Sequence, residues 1–326
     1  MLKGLSRRLL ALLQLTRMAL VFTAIADAYC TALLRMVVFG DKEVLDARRM
    51  VAIAAVSVGL YGFGMSLNDI ADRKRDLQIA SHRPLPSGRV GLLTAHLISI
   101  LLAVGALTGA LIYSELVRDW SAVVLTAFTI LLICFYDLAG KYLVGLGLLT
   151  LGLIRFTHAL VPARMPVVWH PLLLLNHVAI LSAVAYRWED KRPPLTRIHY
   201  WTVGAGLAVI DLAVIIMIHQ KHRAQGLDVR PSLLIPLGAV LVFVALAWYV
   251  RRRSPTPREA GQTIMLYGLL WLIVYDACFV YIYKGWLAAA LLLLLFPAAY
   301  FSVQLMRWWS KLMTLSQRPT FQRVQT

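Results

Sequence analysis

Apolar residues along the chain come in long runs separated by short charged segments. Ten runs can be marked, at roughly 9–37, 48–67, 91–113, 120–137, 142–162, 168–186, 198–219, 232–250, 264–282 and 286–306. Most come close to the ~20 residues that a helix needs to cross a bilayer. Without water to bond, such segments satisfy their backbone as helices. The pattern predicts an all-α, multi-spanning transmembrane helical bundle of about nine or ten helices, with residues 1–326 forming one integral membrane domain. The first run is long for one span and carries Arg17, Asp27 and Arg35, so it is expected to begin as an interfacial segment. The start, MLKGLSRRLLALLQ, lacks a small-residue cleavage site before Arg17 and reads as retained, not as a signal peptide.

Composition agrees, with 60% hydrophobic and 15% charged residues among 326, against about 45–50% apolar in soluble domains. The net charge of +17 would suggest nucleic acid in a soluble protein. Here the basic residues crowd into alternate loops, with a bias of about two to one when the N-terminus is placed in the cytoplasm. Topology explains that charge, together with membrane lipid headgroups, and no nucleic-acid partner is expected. The three cysteines, Cys30, Cys134 and Cys278, all lie in apolar runs without CxxC pairing. They read as small buried residues. Neither GxxxxGK, HExxH nor GxSxG occurs, so nucleotide-driven and hydrolase chemistry lack a basis.

One stretch departs from this plan. Residues 67–90 read LNDIADRKRDLQIASHRPLPSGRV, and Asn68, Asp72 and Asp76 recur at intervals of four. On a helix such residues drift only about 40° per step, so they form one polar stripe. The stripe sits at the end of the apolar run 48–67. Two carboxylates and an amide are hard oxygen donors that suit Mg²⁺, and Mg²⁺ so held bridges to phosphate. Arg73, Lys74, Arg75, Arg83 and Arg89 follow within the same stretch. A cation-lined metal site ending a membrane helix fits a diphosphate with an apolar tail. Asp27, Asp211 and Asp276 are further ionisable groups within or near spans, and such groups default to a functional reading. Of these, Asp27 is the strongest candidate.

NDIADRKRD followed by RPLPSGR resembles the NxxxDxxxD signature and trailing loop of the UbiA superfamily of intramembrane prenyltransferases. The likeness covers roughly 17–195, and the short loops and weak second motif are similar to its EboC-like branch. The resemblance implies a UbiA-like bundle that transfers a prenyl group from a prenyl diphosphate to an aromatic or other lipophilic acceptor, with Mg²⁺ as cofactor. The charge bias of the loops puts the site on the cytoplasmic face, with a bacterial inner membrane expected. The resemblance also implies a second acidic motif, DxxxD, at the end of the sixth run. There AYRWEDKRP offers Asp190 as second aspartate but Tyr186 at the first position, with Glu189 as a compensating group. Tyrosine is a poor Mg²⁺ ligand at neutral pH. Metal ligation is thus expected of Asn68, Asp72, Asp76 and Asp190. Catalysis is expected of Asp72, Asp76, Asp190, Lys141 and Tyr136. Diphosphate or acceptor contacts are expected of Asn68, Arg73, Arg83, Arg155 and Glu189.

Lys141 and Tyr136 belong to CFYDLAGKYL, where Asp137 can pair with Lys141. Arg155 costs about 3 kcal/mol at mid-span and is expected to face a polar cavity. His158, one turn on, reads as a hydrogen-bonded packing residue, while Asn176 faces either an acceptor or a neighbouring helix. Tyr61, Phe63 and Phe156 are candidate rings for stabilising an allyl cation. The altered second motif also supports an alternative, a non-catalytic UbiA-like membrane protein that binds or transports a prenyl-linked or aromatic metabolite.

Overall fold

The computed structural model describes residues 2–38, 46–163, 167–221 and 231–315. Among them there is no strand. Helices α1 (Leu2–Leu15), α2 (Val21–Val38), α3 (Ala47–Ala71) and α4 (Arg73–Ile79) open the chain. They are followed by α5 (Leu92–Val117), α6 (Ser121–Leu138), α7 (Val144–Ala159), α8 (Trp169–Trp188) and α9 (Arg197–Lys221). The last third holds α10 (Leu234–Arg253), α11 (Pro257–Lys284), α12 (Trp286–Leu293) and α13 (Leu295–Leu315).

Among the described residues, nine helical segments are long and apolar enough to cross a membrane, and α7, with 16 residues, is a shorter tenth. At 1.5 Å per residue α7 spans about 24 Å, but most of its side chains are buried by neighbouring helices. Together α12 and α13 make one segment, interrupted at Leu294 three residues before Pro297, which lacks a backbone N–H. The run 9–37 divides as expected: α1 stops at Leu15, Arg17 takes a left-handed conformation (φ 47°), and α2 starts afresh at Val21. Caps set other boundaries. Asp46 accepts from the Arg48 backbone N–H at 3.0 Å at the start of α3. Thr256 accepts from Glu259 N at 3.2 Å ahead of Pro257, the first residue of α11.

Between α3 and α5 the backbones approach closely because the contact residues are small. A Cβ on Gly59 would lie 2.6 Å from Leu102 O, and one on Gly109 would lie 2.8 Å from Ala52 O. Dispersion and close backbone approach, not water exclusion, hold helices together in lipid. Around that contact, α2, α3, α5 and α6 bury Ile53, Val56, Leu60, Phe63, Tyr113 and Ile133. A second cluster joins α7, α8 and α9 through Leu148, Phe156, Leu175 and Leu207. A third joins α2 with α11 and α12 through Leu34, Ile273, Phe279 and Leu292. Large apolar side chains on α5, α9 and α10, such as Leu101, Val209 and Leu241, point outward, as a lipid-facing surface requires. At the end of α10, Arg252 stacks 3.9 Å from the Trp248 ring, an interfacial pairing of cation and aromatic.

Candidate functional site

The polar stripe survives a break in its helix. α3 ends at Ala71 and α4 begins at Arg73. The main chain nevertheless keeps its four-residue bonding, with Asp72 N to Asn68 O at 2.9 Å and Asp76 N to Asp72 O at 2.8 Å. Asn68, Asp72 and Asp76 therefore remain in register at this end of the bundle. Asp69 joins them. Asp69 and Asp76 are both 3% exposed, and seven residues on a helix return a side chain to nearly the same face.

Three cations hold these carboxylates. Arg83 Nη1 donates to Asp76 Oδ2 at 2.6 Å and lies 3.8 Å from Asp69 Oδ1. Arg17 Nη2, from the bend between α1 and α2, donates to Asp69 Oδ1 at 3.3 Å. Lys141 Nζ donates to Asp72 Oδ1 at 2.6 Å from the 3₁₀ turn Gly140–Tyr142. Lys141 thus pairs with Asp72 and not with Asp137. Asp137 is buried within electrostatic reach of Lys141, Asp72, Arg17 and Asp69. Its Oδ1 has no hydrogen-bond partner among the described residues. Tyr136, half-buried, lies within reach of Asp72, Arg17 and Tyr186.

The loop after α4 is a brace as well as a donor. Leu85 and Val90 pack against Ala11 and Leu15 of α1, and Gly88 adopts φ 71°, a conformation open mainly to glycine. Arg89 donates to Gln14 Oε1 at 2.8 Å and to His82 O at 2.6 Å, tying the loop to α1. Arg89 is thereby committed to the loop, whereas Arg83 reaches the acidic cluster. Arg73, Lys74 and Arg75 are exposed, and Arg73 has no ion-pair partner among the described residues.

Three expected site residues stand elsewhere. α8 ends at Trp188, Glu189 caps it, and Asp190 turns to φ 50°. The Asp190 side chain is 83% exposed, with its nearest cation Arg192 at 4.0 Å. Glu189 pairs with Lys191 at 3.3 Å and packs beside Gly261 of α11. Neither is hydrogen-bonded or ion-paired to the Asp69–Asp76 cluster among the described residues. The helix stops before the register of the second motif is complete. Tyr186 comes nearer, within reach of Arg75 and Tyr136, while its hydroxyl donates to Pro193 O at 2.8 Å. Arg155 is ion-paired with buried Asp27, a structural partner in place of the expected cavity. Tyr61 lies between the two levels, within reach of Arg17 and Arg155. Phe63 and Phe156 are buried in separate packing clusters. His158 bonds Ser57 Oγ at 3.0 Å, and Asn176 donates across to both Asp211 oxygens at 3.0 Å.

The donor set fits Mg²⁺. It consists of carboxylate and amide oxygens, the ligands of hard cations. One oxygen of buried Asp137 is orphaned beside Asp72, at the same end of the bundle.

Residues 28–163 match the UbiA prenyltransferase family. That segment holds the acidic stripe, the RPLPSGR loop, Tyr136 and Lys141, and ends before Glu189 and Asp190. No curated protein matches the chain. Among solved structures, digeranylgeranylglyceryl phosphate synthase is similar in fold, with a TM-score of 0.58 and 18% identity over 84% of this chain and 97% of that one. A UbiA homolog from Archaeoglobus fulgidus bound to DMAPP and Mg²⁺ gives a TM-score of 0.51 and 14% identity over 82% of this chain and 99% of that one. The chain is an integral membrane protein with the helical fold of UbiA homologues, and its residues 28–163 match the UbiA prenyltransferase family.

Proposed function

We propose that the protein transfers a prenyl group from a prenyl diphosphate to a lipophilic acceptor, such as an aromatic ring, within the membrane and with Mg²⁺. The observation that carries this reading is the ring of paired charges at the end of apolar α3, in which Lys141, Arg83 and Arg17 each face a carboxylate. Asn68, Asp72 and Asp76 would hold the metal. Bound there, Mg²⁺ supplies a positive charge to a diphosphate as its bond to carbon breaks.

Lys141 and Arg83 exchange a carboxylate partner for a phosphate oxygen when the diphosphate arrives. In that position they stabilise negative charge on the leaving group, and exposed Arg73 adds a further donor. Asp69, shared by Arg17 and Arg83, keeps those guanidinium groups aimed inward. When the carbon–oxygen bond breaks, its electron pair leaves with the diphosphate and an allyl cation remains. The surrounding helices exclude water that would quench it. The acceptor supplies the electron pair of the new bond and then loses a proton. The ring of Tyr61 is the aromatic group best placed to face the cation. The basic excess at this end of the bundle supports a cytoplasmic orientation.

Exposed Asp190, with Tyr186 at the first position of the second motif, favours one other reading: binding or movement of a prenyl-linked or aromatic metabolite without transfer. Purified protein incubated with Mg²⁺, prenyl diphosphates of several lengths and a panel of hydroxylated aromatic acids separates the two. Diphosphate release with a prenylated product is expected. Binding without release would support the second reading, and failure to bind any chain length would refute the first.

A further inference from the structure

A second polar cluster lies deep in the bundle, built by α2, α8 and α11. Asp27, Cys30, His170 and Asp276 are each 0% exposed. One donor atom from each of Cys30, His170 and Asp276 lies within 4.8 Å of the other two. His170 Nε2 is 2.7 Å from Asp276 Oδ1, and the Cys30 thiol donates to the Asp276 backbone O at 3.5 Å. Asp27 and Cys30 are three residues apart on α2 and share a face. The Asp27 carboxyl lies within hydrogen-bonding reach of that of Asp276.

Two features need an explanation that packing does not give. Two carboxyl groups meet in a space without solvent, where like charges repel strongly. In addition, Asp276 Oδ2 and Asp27 Oδ1 have no hydrogen-bond partner among the described residues. Buried acceptors left unpaired are costly. Arg155, paired with Asp27, answers one of the two carboxylates, and nearby His158 already bonds Ser57. Two carboxylates and a thiolate would together carry three negative charges. Arg155 and one divalent cation bring the sum to zero, with His170 neutral.

We propose that Cys30, His170, Asp276 and Asp27 form a site for a borderline divalent metal of the Zn²⁺ class. A set of one sulfur, one imidazole nitrogen and two carboxylate groups is one that Zn²⁺ prefers and Mg²⁺ does not. The site is separate from the acidic cluster at the end of α3. His170 opens α8, and about 25 Å of helix separates it from Arg187 at the other end. Its ligands come from three helices, so the ion clamps α2, α8 and α11 together. Arg155 and His158 stand behind Asp27, with His158 Nδ1 3.9 Å from Asp27 Oδ2.

The test uses the full chain in detergent, loaded with Zn²⁺ or Co²⁺ and freed of weakly held metal. Metal content is then measured, together with the Co²⁺ absorption spectrum. About one ion per chain is expected, with a thiolate-to-metal charge-transfer band. Cys30→Ser should abolish that band, and His170→Asn should release the metal. Cys134→Ser, which alters a thiol outside the cluster, should leave both unchanged. Failure of the wild type to retain Zn²⁺ or Co²⁺, or a band that persists in Cys30→Ser, overturns the proposal. In that event the carboxyl pair shares a proton. The spectrum of Cys30→Ser relative to Cys134→Ser reads thiolate ligation directly, independently of any change in folding yield.

Discussion

Adding one methyl group to Gly59 tests whether the contact between α3 and α5 positions the acidic stripe. The new Cβ would meet Leu102 O at 2.6 Å, Ala106 Cβ at 2.8 Å and Ala106 N at 2.8 Å. Two of those atoms are backbone, so no rotamer relieves the clash, and the helices must part by more than half an ångström, roughly, to restore ordinary contact. Overpacking of this kind costs about 1–3 kcal/mol, while replacing a helical glycine by alanine returns up to about 1 kcal/mol. Gly105→Ala isolates the second effect, since a Cβ there has nothing within 4 Å. Gly59→Ala should therefore be less stable than Gly105→Ala by about 1–3 kcal/mol, read as a lower unfolding midpoint by tryptophan fluorescence in detergent. Because α3 carries Asn68 and Asp69, Gly59→Ala should also weaken prenyl diphosphate binding, while Gly105→Ala should not. Equal stability of the two variants would refute the close-packing argument.

Lys141→Met removes the cation 2.6 Å from Asp72. Turnover should fall by about 10²–10³-fold, with a smaller change in KM, measurable by steady-state diphosphate release. Asp190→Ala, at an exposed carboxylate 4.0 Å from Arg192, should change stability by less than about 0.5 kcal/mol. It should leave Mg²⁺-dependent binding within about threefold of wild type, as titration calorimetry would show.

Most of the helices were legible because lipid allows few alternatives: a long apolar run becomes a helix. Arg17 marked the break in the first run, since an arginine between two apolar segments favours an interface. The site was legible in part. Asn68, Asp72 and Asp76 show a four-residue spacing, and the structure preserves it. Asp69 was missed because it lies about 100° from Asn68. Its seven-residue interval to Asp76 was the available signal. The partnership of Asp27 with Arg155 was hidden because both were visible only as costly mid-membrane charges on distant helices. The bond from Asn176 to Asp211 was hidden because the two stand 35 residues apart on different helices. Asp190 stands outside the bonded cluster for a local reason: a DxxxD reading assumes a continuing helix, but α8 ends at Trp188 and Asp190, in a left-handed turn, is exposed.

The central claim is that the α3 end of the bundle is a metal-assisted cradle for a prenyl diphosphate. The most direct measurement is equilibrium binding of geranyl diphosphate to the purified full chain, with and without Mg²⁺, for wild type and Asp72→Ala. The account predicts Mg²⁺-dependent binding in wild type and its loss in Asp72→Ala. Binding that ignores Mg²⁺, or that survives Asp72→Ala with its metal dependence intact, would contradict the account.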